Sequence, residues 1–311
     1  MKYRQLGSTG IKVSEIGFGA WQLGNARDWS GMMDSEAINL VHEALDQGCN
    51  FFDTAPNYGA GNSERLLGQA LVGRRDQAVI NSKFGHHPDN KVNFDPKLLR
   101  SSIESSLMRL KTDYIDSVLL HNPPFECLEG KTAHFVELEK LKTEGKIRAY
   151  GASVDSASEV SELIKSTSSE IVEVMFNINH QEPRSAFQTV FDKNIGLIIK
   201  VPLDSGWLSG KYDENSKFTD IRSRWSEEQL KRRSKLLATM KEILDPRELL
   251  VEAALRFILH YREVSTIIPG TKSIEQLKLN LSAAEKRMSE DIVKKLEKMW
   301  QDELQTFPLG W

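Results

Sequence analysis

Four polar residues close three consecutive apolar runs or follow directly after one, and their types suit the delivery of a proton. Asp53 ends the run Phe51-Phe52-Asp53 and precedes Tyr58 by a short loop; Lys83 ends the run 78–83; His121 ends the run 115–121. A free phenol has a pKa of about 10 and releases its proton reluctantly at neutral pH. An ammonium beside it favours the phenolate, so Lys83 is expected to lower the pKa of Tyr58 and make it a better acid. The ammonium keeps its charge in a partly buried place only beside an opposing charge, which Asp53 supplies. His121 can hydrogen-bond the oxygen that receives the proton. The reaction that uses these parts is hydride delivery to a carbonyl carbon while Tyr58 protonates the oxygen. Taken singly, each residue has a plainer use: Asp53 as a cap, Tyr58 as a loop aromatic, His121 as a core histidine before Asn122-Pro123-Pro124. Their convergence is what points to chemistry.

That convergence requires a scaffold. Short apolar runs at 16–18, 51–53, 78–83, 115–121, 147–153, 171–176, 197–201 and 264–268 alternate with segments of helical period. Segment 35–48 carries Ile38, Val41 and Leu45 on one face, with Asp34 as its expected N-cap. Segment 62–72 follows the second run. A further helix opens at Asp95-Pro96, a capping residue before a proline suited to the first turn, and carries Leu99, Ile103 and Leu107. A long polar stretch, 211–224, precedes a helix near Ser226. Strands apolar on both faces and alternating with helices argue for a parallel sheet covered by helices. Eight such units in 311 residues fit a closed (β/α)8 TIM barrel, with a doubly wound open sheet as the structural competitor. In a barrel the strand C-termini share one rim, where chemistry is placed. Residues 3–6 and 11–13, around Ser8-Thr9-Gly10, read as an N-terminal β-hairpin capping the barrel bottom. The tail, with Ile292, Leu296 and Trp300 on one face, reads as an extra C-terminal helix. No Gly-, Pro- or Ser-rich linker divides the chain, so residues 1–311 read as one domain.

Composition narrows the partners. The chain is 40% apolar and 27% charged, with 41 Lys and Arg against 44 Asp and Glu, a net charge of −3. That balance gives no electrostatic reason to expect nucleic acid or an anionic membrane as partner. Two cysteines, Cys49 and Cys127, make no metal or redox spacing and suit a reducing compartment. Residues 1–5 lack the apolar core of a signal peptide, and no stretch approaches a membrane span, so a cytoplasmic location is expected. Oligomeric state is not legible, and no metal site is expected.

The motifs Phe52-Asp53-Thr54-Ala55 with Tyr58-Gly59, Lys83 after a strand, and Leu120-His121 before a proline resemble the aldo-keto reductase family. The similarity extends from Gly17-Phe18-Gly19-Ala20-Trp21 to Ile268-Pro269-Gly270-Thr271 and Asn280. The resemblance implies an NAD(P)(H)-dependent carbonyl reductase on a (β/α)8 barrel, with Asp53, Tyr58, Lys83 and His121 as its tetrad. Trp21, Trp29 and Asn122, together with Tyr58 and His121, are then expected near the substrate, an aldehyde, ketone or sugar.

A dinucleotide fingerprint of the Rossmann type is missing, because Gly17-Phe18-Gly19 has Gln22 where a third glycine belongs. Phosphates can instead be held by the last loops of a barrel. Gly270-Thr271-Lys272-Ser273 opens a helix whose backbone N–H groups, with Lys272, make a suitable anion site. The resemblance implies that this segment binds the adenosine 2′-phosphate and adenine, with Gln276 and Asn280 reaching from the helix. NADP(H) is favoured by Lys272, and NAD(H) stays open. The loop with Pro202, Leu203, Ser205, Gly206, Leu208, Gly210 and Lys211 resembles the family's pyrophosphate cover. Further cofactor contacts are implied for Gly19, Ala20, Trp21, Asp53, Ser153, Glu173 and Lys200. Three positions depart from the family pattern: Lys200 where an aromatic ring is common, Val154 where Asn is common, and Glu173 where Gln is common.

Two other readings stay on the table. One is a barrel aldolase forming a Schiff base through Lys83, which needs an unpaired amine. The other is a cofactor-sensing regulatory subunit of the same fold with little turnover.

Overall fold

The computed structural model describes residues 1–29 and 31–310. Strands β1 (Tyr3–Gln5) and β2 (Lys12–Ser14) form the expected antiparallel hairpin, with Tyr3 opposite Ser14. Eight parallel strands follow: β3 (Phe18–Gly19), β4 (Phe51–Asp53), β5 (Val79–Phe84), β6 (Ile115–His121), β7 (Ile147–Val154), β8 (Ile171–Met175), β9 (Gly196–Lys200) and β10 (Thr266–Ile267). Each pairs with the next in chain order. Parallel bridges Ile16 to Ile267 and Gly19 to Gly270 join the first strand region to the last. The sheet therefore closes on itself as a (β/α)8 barrel, and the open-sheet competitor is set aside. Closure brings backbones close: a Cβ on Gly19 would lie 2.7 Å from the Ile268 carbonyl oxygen, so no side chain fits there.

Helices α1 (Asp34–Asp46), α2 (Asn62–Ala70), α3 (Leu99–Leu110), α4 (Phe125–Leu128), α5 (His134–Thr143), α6 (Ala157–Ser166), α7 (Phe187–Asp192), α8 (Glu227–Ile243), α9 (Leu250–Leu259), α10 (Ile274–Ser282) and α11 (Glu290–Glu303) surround it. Contacts run α1 to α2 to α3 to α5, and α10 touches both α9 and α1. Three sequence expectations are adjusted. Met33, not Asp34, occupies the N-cap of α1, and its N–H donates to Glu36 Oε2 at 3.0 Å. Asp95 does cap with its side chain, but one turn of 3₁₀ helix, Pro96–Leu98, precedes α3. The tail helix α11 buries Val293, Leu296 and Met299 most deeply, while Ile292 and Trp300 pack at the edge of that face.

The period of two along a strand sorts side chains between barrel interior and helix layer. Phe52, Ile80, Val118, Leu120, Val172 and Leu197 face the helices in one large core. Phe51, Val79, Leu119, Ala149, Ile171 and Ile198 fill the interior together with Leu6, Ile11 and Val13 of the hairpin. Each large interior side chain contributes roughly 1.5–3 kcal/mol by leaving water. The same alternation, continued two residues on, puts Asp53 on the interior face above Phe51 and Lys83 two layers above Val79. The apolar plug is thus the floor on which the polar groups stand.

Candidate active site

The C-terminal rim surrounds a cavity of about 490 Å³. At its base the Lys83 ammonium lies 2.5 Å from Asp53 Oδ2, 3.1 Å from the Thr54 carbonyl and 3.8 Å from Glu173 Oε2. The lysine side chain is only 1% exposed. An isolated buried charge costs several kcal/mol, which these three acceptors offset. Burial works against the Lys83 cation, but Asp53 and Glu173 outweigh it and raise its pKa above the ordinary lysine value. So charged an amine is a poor Schiff-base nucleophile, which removes support for the aldolase reading. Asp53 is in turn pushed up to about 7, first by burial and then by the neighbouring Glu173, with Lys83 pulling the other way.

Tyr58 opens a tight turn, Tyr58–Gly61, in which Gly59, Ala60 and Gly61 all have positive φ. Glycine adopts that backbone readily, and the turn packs against residues 20–22 and α2. The Lys83 ammonium lies 5.3 Å from the centre of the phenol ring. Trp21 stacks on the same phenol, with ring centres 6.0 Å apart and planes at 29°. The expected effect of Lys83 on the phenol is present but does not decide the sum. Burial raises the Tyr58 pKa, Lys83 lowers it, and Asp53 and Glu173 raise it again, leaving it above the usual phenol value. Desolvation and the second carboxylate, Glu173, together with Asp53 outweigh the one cation, Lys83.

His121 presents its edge to Tyr58 at a ring distance of 6.0 Å and stacks on His86 at 4.5 Å. Burial, with Lys83, His86 and Lys200 nearby, holds its pKa well below the ordinary histidine value. It is neutral at pH 7. Its buried Nδ1 has no hydrogen-bond partner among the described residues.

Of the other residues expected from sequence, Gly19, Trp21, Trp29, Asn122, Glu173, Lys200, Pro202, Leu203, Ser205, Gly206, Lys211, Gly270, Lys272, Gln276 and Asn280 line the cavity. Ala20, Ser153, Leu208 and Thr271 lie buried behind that wall. Gly210 is the left-handed C-cap of the turn Asp204–Ser209, and Ser273 is the N-cap of α10, accepting from the Gln276 N–H. Thr271 accepts from Asn280 Nδ2 at 3.1 Å, and Gln276 Oε1 accepts from the Lys272 N–H at 2.9 Å. Val154 is buried in the core facing the helices, away from the cavity. Lys200 does not hang free in place of a ring. Its ammonium donates to Asn122 Oδ1 at 2.7 Å and Ser153 Oγ at 2.8 Å, and pairs with Asp155 at 2.9 Å.

Several cavity residues were not expected there from the sequence: Asp28, Asn57, His86 and Tyr212 among them. His86 and Asn57 had a usable signal, each lying one to four residues from a strand end on the expected rim. Arg222, within the polar stretch 211–224, is cavity wall. Its guanidinium lies 5.4 Å from the Trp29 ring, and Lys272 Nζ lies 5.3 Å from the same ring. Burial and the proximity of Arg222 lower the Lys272 pKa. Arg222 is paired with Asp220, so Lys272 and the N-terminus of α10 are the groups that suit a bound phosphate, and Gln22 Oε1 is a buried acceptor without a partner among the described residues. The residues present therefore fit a dinucleotide. Among the described residues no helix is long and apolar enough to cross a membrane, and no cluster of three or more metal-ligating side chains occurs.

Comparison with known proteins agrees with this geometry. The chain is 34% identical over 230 residues to the NADH-specific methylglyoxal reductase of Escherichia coli, covering 68% of this chain and 70% of that protein. It is 28% identical to L-galactose dehydrogenase of Arabidopsis thaliana, covering 91% of this chain and 88% of that one. An aldo-keto reductase from Bacillus halodurans in its holo form superposes with a TM-score of 0.82 at 27% identity, covering 96% of each chain. Residues 15–301 match the model of the aldo/keto reductase family, whose members use NAD(P)H. With fold, rim and sequence in agreement, the chain belongs to the aldo/keto reductase family of oxidoreductases.

Proposed function

We propose that this chain reduces an aldehyde or ketone, including sugar carbonyls, to the alcohol, with Tyr58 as proton donor. The observation that carries the reading is the buried Lys83–Asp53 pair at 2.5 Å beneath a half-buried phenol, with a neutral His121 on the same cavity wall. Bound reduced NAD(P)H supplies the hydride to the carbonyl carbon. Lys272, Ser205, Gly206, Gln276 and Asn280 would hold it, and Lys272 at the start of α10 favours the phosphorylated form, NADPH.

A high phenol pKa keeps Tyr58 protonated in the resting site. The proton leaves when negative charge develops on the carbonyl oxygen, and Lys83 then stabilises the phenolate. His121, being neutral, can donate one hydrogen bond to that oxygen and orient it without adding a second cation. Trp21 stacks on the phenol, and Trp29 meets the Trp21 ring edge-on at 5.2 Å, so two indoles form an apolar wall beside the proton donor.

The test is a panel of aldehydes, ketones and sugars with NADPH and with NADH, followed by reduced-nicotinamide absorbance. Tyr58→Phe is expected to lose on the order of 10²–10⁴-fold in kcat/KM, the usual worth of a positioned acid. A fully active Tyr58→Phe enzyme would remove the proposed donor. A wild type that binds cofactor tightly but turns over no carbonyl would favour the sensing subunit.

A further inference from the structure

The wall beside Tyr58 carries acceptors for which the described residues supply no donor. Asp28 lines the cavity, and its Oδ2 accepts from Trp21 Nε1 at 3.0 Å and from Asn25 Nδ2 at 2.9 Å. These two donors fix the carboxylate against the indole that stacks on the phenol. No donor among the described residues reaches Asp28 Oδ1. Asn57, next to Tyr58 in the chain, lines the same cavity, and its buried Oδ1 also lacks a donor among the described residues. An enclosed acceptor without a donor is costly, so two of them on one wall mark a place where a ligand donates.

We propose that Asp28, with Asn57, selects a neutral carbonyl substrate bearing several hydroxyl groups and rejects one that carries a carboxylate. The inference rests on the reading of the chain as a carbonyl reductase and names the substrate class of that site. Trp21 touches both Tyr58 and Asp28, so a substrate whose carbonyl meets the phenol lays its remaining chain along the indole toward the carboxylate. A hydroxyl there donates to Asp28 Oδ1 in a charge-assisted hydrogen bond, stronger than one to a neutral acceptor. Asn57 Oδ1 takes a second hydroxyl, nearer the phenol.

The surrounding charges favour the neutral hydroxyl over either ion. Lys83 pairs with Asp53, Lys200 with Asp155 and Arg222 with Asp220, so these cations already have their counter-charges. A substrate carboxylate would meet the like charge of Asp28 and draw little from them, which is a repulsive device as much as an attractive one. A substrate ammonium fails differently. Arg222 and Lys272 lie 5.4 and 5.3 Å from the Trp29 ring, which meets Trp21 at 5.2 Å, so a further cation beside Trp21 would crowd theirs. His86, also on the cavity wall, is held below the ordinary histidine pKa by burial and by Lys200, and it adds hydrogen bonding without charge at neutral pH.

Three four-carbon aldehydes test this with the reduced cofactor: butanal, erythrose and succinic semialdehyde, whose chains are apolar, hydroxylated and anionic. Asp28→Asn keeps the shape of the side chain and an acceptor for the indole while removing the charge. Its kcat/KM for erythrose is expected to fall on the order of 10-fold, through KM, the worth of one hydrogen bond to a charged group. Butanal should be unchanged and succinic semialdehyde improved. Binding is read without turnover by titrating erythritol and butanol into the enzyme loaded with oxidised cofactor, followed by tryptophan fluorescence. Erythritol alone should bind more weakly to Asp28→Asn. An equal loss for all three aldehydes, expected if Asp28 only holds Trp21 in place, overturns the proposal. So does an unchanged erythrose rate, or a wild type that prefers succinic semialdehyde or aminopropanal to erythrose. A protein that reduces none of these aldehydes yet binds erythritol through Asp28 overturns the reductase reading and leaves the selectivity of the wall standing.

Discussion

The loop after β9 carries the cavity wall, and its shape depends on one buried ion pair. Val201, Asp204 and Ser205 all have φ near +50°, in the left-handed region that non-glycine residues avoid. Each such residue costs of order 1–3 kcal/mol, so the three together store roughly 3–9 kcal/mol that surrounding contacts must hold. The main contact is the Asp204 carboxylate, which pairs with Arg233 of α8 and accepts from Asn179 Nδ2 at 2.9 Å. Both partners of the pair are almost wholly buried, at 1% and 5% side-chain exposure. Arg233 also donates to the Gly310 carbonyl at 2.9 Å, tying the C-terminal segment to the same point. Arg233→Met removes the cation and leaves Asp204 with one neutral donor. Breaking a buried pair from one side costs about 3–5 kcal/mol, comparable with the stored strain, so the loop should relax. Urea denaturation should report that loss, and cofactor titration by fluorescence quenching should show weaker binding. Asp204→Asn with Arg233→Met removes both charges and should cost clearly less than the sum of the single variants. Additive single effects below about 1 kcal/mol, the range of exposed pairs, would refute the reasoning.

Two further predictions concern charge. Lys272→Met should weaken NADPH binding more than NADH binding, by on the order of 10-fold for a charge-assisted contact to phosphate; equal weakening in isothermal titration would take the 2′-phosphate away from Lys272. The second is a pH dependence of stability. Asp53 binds a proton up to about pH 7 in the folded chain, against 3.8 for the free side chain. Between these values the folded state holds a proton that the unfolded state has lost, so the contribution of this group to stability falls as pH rises from about 4 to 7. A gap of about three pH units corresponds to at most about 4 kcal/mol. Urea midpoints measured across that window should decline in the wild type and decline less in Glu173→Gln; parallel curves would dispose of the coupling.

How much of this was legible beforehand follows from the range over which each feature acts. The strands could be read because a buried strand is a local apolar run, and Phe51–Asp53 and Ile115–His121 fall where that pattern put them. The rim position of Asp53, Lys83 and His121 followed from the same local fact plus the direction of a parallel sheet. The hairpin was legible too, since its turn chemistry lies within a dozen residues. What escaped is what closure decides. Glu173 on β8 meets Lys83 and Asn81 on β5, three strands away, only because the sheet curls until opposite walls face each other across the interior. The raised pKa of Tyr58 depends on that meeting and on depth of burial, neither of which is a property of the segment that contains it. Lys200 looked like a defect in a pattern; its three partners come from two other strand ends and the loops beyond them. Residue type and period determined which groups reach the rim, while the barrel's curvature decided which of them meet across the interior.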